Sequence, residues 1–487
     1  MDQLSRRSFL KKSIATTAGA GMMSAVIDSS RSRVLGANEQ VRVAVVGFHS
    51  KGAQHIKVFH EIPNVRVAAL CDVDEDILQD QVQKFKDRGE KVAAFRDVRK
   101  LLEQKDIDAI VIATPSHWHS LIGIWACQAG KDVYVEKPVS LNVWEGRKLV
   151  QAARKYKRIV QAGTQNRSDV GLRAAKEYIQ EGHLGKVLWA HGLWYKRRTS
   201  IGKVPGPRHV PPQVDYDLWT GPALLEPLRR ERLHYDWHWR WETGDGDMGN
   251  LGVHQIDDCR FVLGYEGYPD KVMSFGGRFG YIDDGETPNT QMAIFDYKPA
   301  PVVIEVRTLP MQKGVRAMDN YRGVRSGDII QCEDGYFAGG RGGGWAYDNN
   351  HKKIKQFPGD GGGTHQANFI AAVRSRNADE LHAEVLQGHI SSAVCHMANI
   401  SYRIGQESPV ENIKESIAGY KDGVETVDKI QAHLEANEVD LAKTPIVNGP
   451  WLEFNGKKEI FKKDWSYEAN MFLSRLYRKP FVVPENV

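Results

Sequence analysis

The stretch Val41-Arg42-Val43-Ala44-Val45-Val46-Gly47-Phe48-His49-Ser50-Lys51-Gly52 decides the fold. Five apolar residues with one arginine read as a buried strand, and the glycine ends it at a tight turn. Helical spacing follows over 53–60, and a second strand at 65–71 ends at Asp72-Val73-Asp74. Strand, helix, strand in that order starts a parallel α/β sheet. The alternation continues with a helix at 75–86, a strand at 108–113, a helix at 116–129, a strand at 132–135, a helix at 144–156 and a strand at 159–162. The turn itself departs from the dinucleotide fingerprint GxGxxG. Gly47 and Gly52 keep the outer places, but His49 stands where the backbone normally closes on a pyrophosphate, so either its side chain points away or the phosphates sit differently. Asp72 lies twenty residues after Gly52, at the end of the second strand. A carboxylate there accepts from the ribose hydroxyls and repels a 2′-phosphate, which favours NAD(H) over NADP(H); its competing role is to cap the next helix.

The chain around this core has 487 residues, enough for two or three domains. Hydrophobic residues make up 41% and charged residues 26%, which supports a packed core. Lys plus Arg (66) exceeds Asp plus Glu (61) by only 5, and no run of like charge marks a nucleic-acid-binding arm. The five cysteines include no CxxC pair, which argues against a disulfide scaffold and a cysteine-only zinc site. Nothing after residue 40 is apolar over a length that spans a bilayer. The first residues read as an address. Ser5-Arg6-Arg7-Ser8-Phe9-Leu10-Lys11 precedes an uncharged stretch from Ser13 to Ile27 and a small-residue exit, Leu35-Gly36-Ala37. This pattern is that of a twin-arginine export signal, with cleavage expected after Ala37 and a periplasmic or otherwise exported product.

Two further segments, Ala113-Thr114-Pro115-Ser116-His117-Trp118-His119 and Val133-Tyr134-Val135-Glu136-Lys137-Pro138, make the chain from about Val41 to Gly405 resemble the Gfo/Idh/MocA oxidoreductases, which include glucose–fructose oxidoreductase and inositol dehydrogenase. The resemblance implies an α/β chain: an N-terminal Rossmann doubly wound parallel sheet, then an α+β domain with a large, mostly antiparallel open sheet and the active site between them. The expected boundaries are a signal at 1–37, an NAD-binding domain at 38–163, a substrate domain at 164–414 and a C-terminal helix and tail at 415–487. Thr114, Pro115, His119, Glu136, Lys137 and Pro138 would then border the cofactor, and Lys137 would be the active-site lysine. Its ammonium can donate to the reacting oxygen and stabilise developing negative charge. Homo-oligomers are also implied, since sheets of this family commonly pair.

In the second domain, Gln165 and Arg167 leave the last Rossmann strand in position to face a substrate. Tyr235-Asp236-Trp237-His238-Trp239-Arg240-Trp241 is the densest aromatic run. In an extended segment its three tryptophans share one side. Two readings fit: flat indoles, with His238 between them, against a sugar ring, or packing in a core and an interface. After it, Gly244-Asp245-Gly246-Asp247-Met248-Gly249-Asn250 runs into a helix bearing His254 and Asp257. The family usually carries an aspartate and, four residues on, a histidine that takes the hydroxyl proton. His254 matches, but Asn250 replaces the aspartate, and an amide cannot steady an imidazolium with charge. Asp257 either compensates or caps structure. A zinc site from His234, His238 and His254 is disfavoured, since no HExxH occurs. The glycine runs at 339–344 and 359–363 lack the context of a phosphate loop, and His389 and His396 share one face of a helix that reads as structural, with His389 able to reach the cleft as the alternative.

These features point to an exported oxidoreductase that moves hydride to or from a ring carbinol of a sugar, glycoside or polyol. NAD would be its cofactor, held tightly and recycled. Two alternatives stay open: redox-neutral cleavage or epimerisation through a keto-sugar, and a saccharide-binding Rossmann protein without turnover.

Overall fold

The computed structural model describes residues 40–487; the export signal expected at 1–37 lies outside the described residues. Six parallel strands form the first sheet: β1 (Val41–Val46), β2 (Val65–Cys71), β3 (Ala93–Phe95), β4 (Ala109–Ile112), β5 (Asp132–Val135) and β6 (Val160–Ala162). Their order is β3-β2-β1-β4-β5-β6, that of a dinucleotide-binding sheet. The buried strand read at β1 sends alternate side chains to the two faces of the sheet. Val41, Val43 and Val45 enter the core on one face with Phe59 and Phe85, whereas Ala44 and Val46 enter the core on the other with Leu121 and Leu149. A sheet covered on both faces has near-continuous apolar strands, and β4 and β5 are buried throughout.

Distant parts of the chain complete this half. Phe369, Ile370 and Val373, from a helix at His365–Ser375, pack into the core with Val43 and Val45. Phe481 and Val483 of the C-terminal tail pack into the opposite core. The tail is pinned further by Arg475 on Glu145 at 2.9 Å and Arg478 on Asp217 at 2.5 Å.

The second sheet has twelve strands. Its run begins with β7 (Val187–Tyr195), β8 (Lys271–Gly277), β9 (Thr290–Phe295) and β10 (Val302–Arg307). It continues with β11 (Ser326–Cys332), β12 (Gly335–Gly340), β13 (Gly343–Asp348) and β14 (Lys353–Pro358). Only the β10–β7 pair is parallel; the other pairs are antiparallel. Residues 415–487 are more than a helix and tail, because strands at Ile446–Asn448 and Leu452–Asn455 extend this sheet beside β8. A helix at Val385–Arg403 runs buried between the halves and touches both β6 and β8. It is buried nearly all round, and its enclosed polar side chains, among them His389, Ser392 and His396, find hydrogen-bond partners on neighbouring elements. Among the described residues no helix is long and apolar enough to cross a membrane.

Candidate active site

The C-terminal ends of β1, β2, β4 and β5 open onto a cleft of about 750 Å³ that the second sheet closes from the other side. The β1 turn is built by its glycines. Gly47 has φ +75°, and a Cβ there would lie 2.8 Å from Thr114 Cα, so the turn seats against the Thr114-Pro115 turn. A Cβ on Gly52 would fall 2.0 Å from the Gly47 carbonyl oxygen, so the first turn of the following helix (Lys51–Glu61) presses on the loop. His49 is exposed and points out of the loop, where its ring stacks on His234 at 4.8 Å. Burial and the neighbouring His234 lower its pKa.

Asp72 accepts from the Phe48 N–H at 3.0 Å and the Asp74 N–H at 3.1 Å. Its burial pushes its pKa up. Helix capping falls to Asp74, which accepts from the N–H groups of Asp76 and Ile77. Asp72 therefore lines the cleft with lone pairs to spare. Thr114 Oγ1 is buried, lacks a hydrogen-bond partner and belongs to a cleft-lining residue. An orphan hydroxyl, a carboxylate beside a glycine turn and a helix N-terminus with open N–H groups fit a dinucleotide.

Glu136 is buried. Burial pushes its pKa up, but the His55 contact at 2.8 Å with the nearby Lys51 and Lys137 prevails and holds it below the usual carboxylate range. Gln165 donates to it at 2.9 Å and to Tyr134 Oη at 3.0 Å while lining the cleft. Lys137 reaches across to the second domain, where Nζ donates to the Asn250 carbonyl oxygen at 2.6 Å and to Oδ1 at 3.2 Å. Burial lowers its pKa, against the pull of Glu136 and Asp245. His119 sits between the Pro138 carbonyl (2.7 Å) and the Thr114 carbonyl (2.8 Å). Burial lowers its pKa, and a neutral ring can donate to only one of the two carbonyls.

Asn250 lies in a wide π-helical turn, Met248–Gly252, ahead of the helix Val253–Leu263 that carries His254. Rather than orienting the histidine, its amide anchors Lys137. His254 lines the cleft with its ring 5.5 Å from that of Trp194. Burial and then Lys137 lower its pKa to about 3, so the ring is neutral at ordinary pH.

Three substrate-facing expectations are corrected. Asp257 is fully buried and binds Arg167 through two bonds of 2.8 and 2.9 Å, with Ser391 donating at 2.7 Å. Both residues therefore hold the last Rossmann turn to the second domain, and neither lines the cleft. Trp239 is buried and donates to Asp247 at 3.4 Å. The aromatic run is a 3₁₀ turn over Asp236–Trp239, not an extended segment. Three residues per turn put Asp236 and Trp239 inward together, and leave Trp237 and His238 on the cleft. Their rings stack at 3.7 Å. Trp194, Lys196, Arg198, Tyr235 and Arg341 also line the cleft and were not anticipated. The aromatic–basic end of β7, Trp194-Tyr195-Lys196-Arg197-Arg198, was the available signal. His234 turns to Asp74 at 2.9 Å, away from His254. Among the described residues no group of three or more His, Cys, Asp or Glu is arranged to hold a metal ion.

Residues 41–164 match the oxidoreductase family with an NAD-binding Rossmann fold, and residues 173–273 match its C-terminal alpha/beta domain. The chain belongs to the Gfo/Idh/MocA oxidoreductase family. It is 26% identical to inositol 2-dehydrogenase of Salmonella typhimurium over 36% of this chain and 51% of that protein. It is 29% identical to a glycosyl hydrolase family 109 protein of Saccharopolyspora erythraea, over 39% of this chain and 45% of that one. The chain thus spans about half the length of the curated relatives it matches. The WlbA dehydrogenase of Bordetella pertussis, solved with NADH and UDP-GlcNAcA, shares the fold with a TM-score of 0.56 at 20% identity, covering 75% of this chain and 97% of that one.

Proposed function

We propose that this chain is an exported oxidoreductase that uses NAD, held through turnover, to act on a sugar, glycoside or polyol. The observation that carries the reading is the Lys137 ammonium, fixed by Asn250 at the junction of the NAD-binding turns and the neutral His254. When bound, NAD supplies a hydride acceptor or donor. Residues 47–52 would hold its phosphates, Asp72 its ribose hydroxyls, and Thr114 a further polar edge. Lys137 spends two of its three N–H groups on Asn250, so one remains to polarise a carbinol or carbonyl oxygen. His254 is neutral and buried, so it can accept a hydrogen bond from the hydroxyl, but its lowered pKa lets it hold the proton only transiently. Trp194 and Trp237 offer indole edges and faces to a sugar ring. Export rests on the SRRSFLK segment.

A redox-neutral cycle is the second reading, favoured by Asn250 in place of the family aspartate and by the glycosyl hydrolase family 109 relatives. Without a charged partner for a protonated His254, net dehydrogenation loses support, whereas transient oxidation within a closed cycle returns the proton. The test is to denature the purified chain, identify released dinucleotide by absorbance and mass, and follow cofactor reduction beside product mass on a glycoside panel. Released NAD with products of changed mass and reduced cofactor supports net oxidation. Cleaved or epimerised products without net reduction support the second reading. A chain that releases no dinucleotide and binds none when it is added contradicts both.

A further inference from the structure

The carboxylates that line the cleft, Asp72, Asp97 and Glu136, all belong to the Rossmann half. The second domain contributes cations and no carboxylate to the lining: Lys196, Arg198 and Arg341. Strand register places Lys196 and Arg341 at the same end of the sheet. Gly192 of β7 and Gly339 of β12 both pair with Asp328 of the intervening β11, so Lys196 and Arg341 follow parallel-running ends two strands apart. Two inter-strand steps are about 10 Å, the span of a monosaccharide with its substituents.

These cations are incompletely used by the protein. Neither Lys196 nor Arg341 has a carboxylate within ion-pair reach among the described residues; Arg341 donates only to the Gly361 carbonyl at 3.2 Å. Arg198 has a side chain only 8% exposed, pairs with Asp247 at 2.9 Å and donates to Tyr235 Oη at 2.6 Å. Its Nε is buried without a partner. A buried N–H of a guanidinium is costly unless something accepts from it. A neutral sugar leaves the charges of Lys196 and Arg341 unpaired and the Arg198 Nε–H without a charged acceptor.

We propose that this edge of the cleft is an anion subsite, so that the sugar bound there carries a carboxylate or phosphate group, as a uronic acid or a sugar phosphate does. The proposal rests on the sugar-oxidoreductase reading for the identity of the ligand, but its charge argument stands on the lining alone. Calorimetric titration of the full-length chain with matched pairs tests it: glucose with glucuronate, galactose with galacturonate, and glucose with glucose 6-phosphate. The acid of at least one pair should bind roughly tenfold more tightly than its neutral partner, since hydrogen bonds to charged groups exceed neutral ones by about that factor. Which pair shows it tells carboxylate from phosphate. The preference should shrink at about 0.2 M salt, where screening reaches the cleft mouth. It should collapse toward equality in the double variant Lys196→Gln/Arg341→Gln, whose retained NAD on denaturation shows that it is folded. Equal binding within every pair, no binding of any sugar to a chain that holds NAD, or a preference that survives the double substitution overturns the proposal. A chain that prefers the acids yet neither holds nor binds NAD keeps the subsite and sinks the oxidoreductase reading.

Discussion

Replacing Lys137 by Met removes the charge and all three N–H donors while keeping a long unbranched side chain. Two effects follow from the geometry. The Asn250 carbonyl, now at 2.6 Å from Nζ, loses its donor, which costs about 1–3 kcal/mol of stability when such a group stays buried. Relief of the desolvation that lowers the lysine pKa offsets part of this, so melting should shift by a few degrees at most. The larger effect is on chemistry. Losing one preorganised donor to a developing alkoxide costs about 2.7–4 kcal/mol, or roughly 10²–10³ in kcat. NAD content should change little, because the Gly47–Gly52 turn, Asp72 and Thr114 are untouched. The assay is turnover of the best substrate from the glycoside panel, with dinucleotide content measured on the same preparation. A variant within tenfold of wild-type kcat, or one whose only defect is loss of NAD, refutes the role assigned to this ammonium.

Three other outcomes are expected. Asp72→Asn should weaken NAD binding by about tenfold and narrow the preference over NADP, measured by titration calorimetry with both dinucleotides, because the amide drops the charge and has one acceptor oxygen for the N–H groups of Phe48 and Asp74. Arg167→Leu should lower stability by about 1–3 kcal/mol in denaturant titrations by taking two hydrogen bonds from the buried Asp257, which keeps Ser391 and, at 3.9 Å, Arg260; a raised KM at unchanged stability would instead restore a substrate role. Asp245 is buried with one carboxylate oxygen unpartnered, and burial pushes its pKa up to about 7 against the pull of Lys137. Between about pH 4 and that value the folded chain holds a proton that the unfolded chain releases, so stability falls as pH rises through the window. Asp245→Asn should abolish that fall, and melting temperatures at about pH 5 and pH 8 compare the two chains.

The Rossmann half was legible because its signals are local. Apolar runs of strand length alternate with helical spacing, and a glycine turn follows the first strand. The outward side chain of His49 is one of the two arrangements that the turn allowed. What escaped depended on contacts far along the chain. Nothing local in Phe369 or Phe481 says that each closes a face of the first sheet. The alternate tryptophans suggested an extended strand, but Asp236 accepts from the Arg232 N–H and pulls the segment into a 3₁₀ turn, which sends Trp239 inward. Arg167 and Asp257 lie ninety residues apart, and each alone looks like a ligand-binding group; only the fold brings them together. Asn250 read as a lost charge near His254, while in space its carbonyl and amide oxygens hold the lysine.

A crystal structure of the full-length chain grown with NAD tests the central claim most directly. The dinucleotide should lie along the ends of β1, β2 and β4, with its adenosine ribose on Asp72 and its nicotinamide ring beside Lys137 Nζ and His254. A dinucleotide bound elsewhere, or a nicotinamide ring remote from that amine, would contradict the assignment.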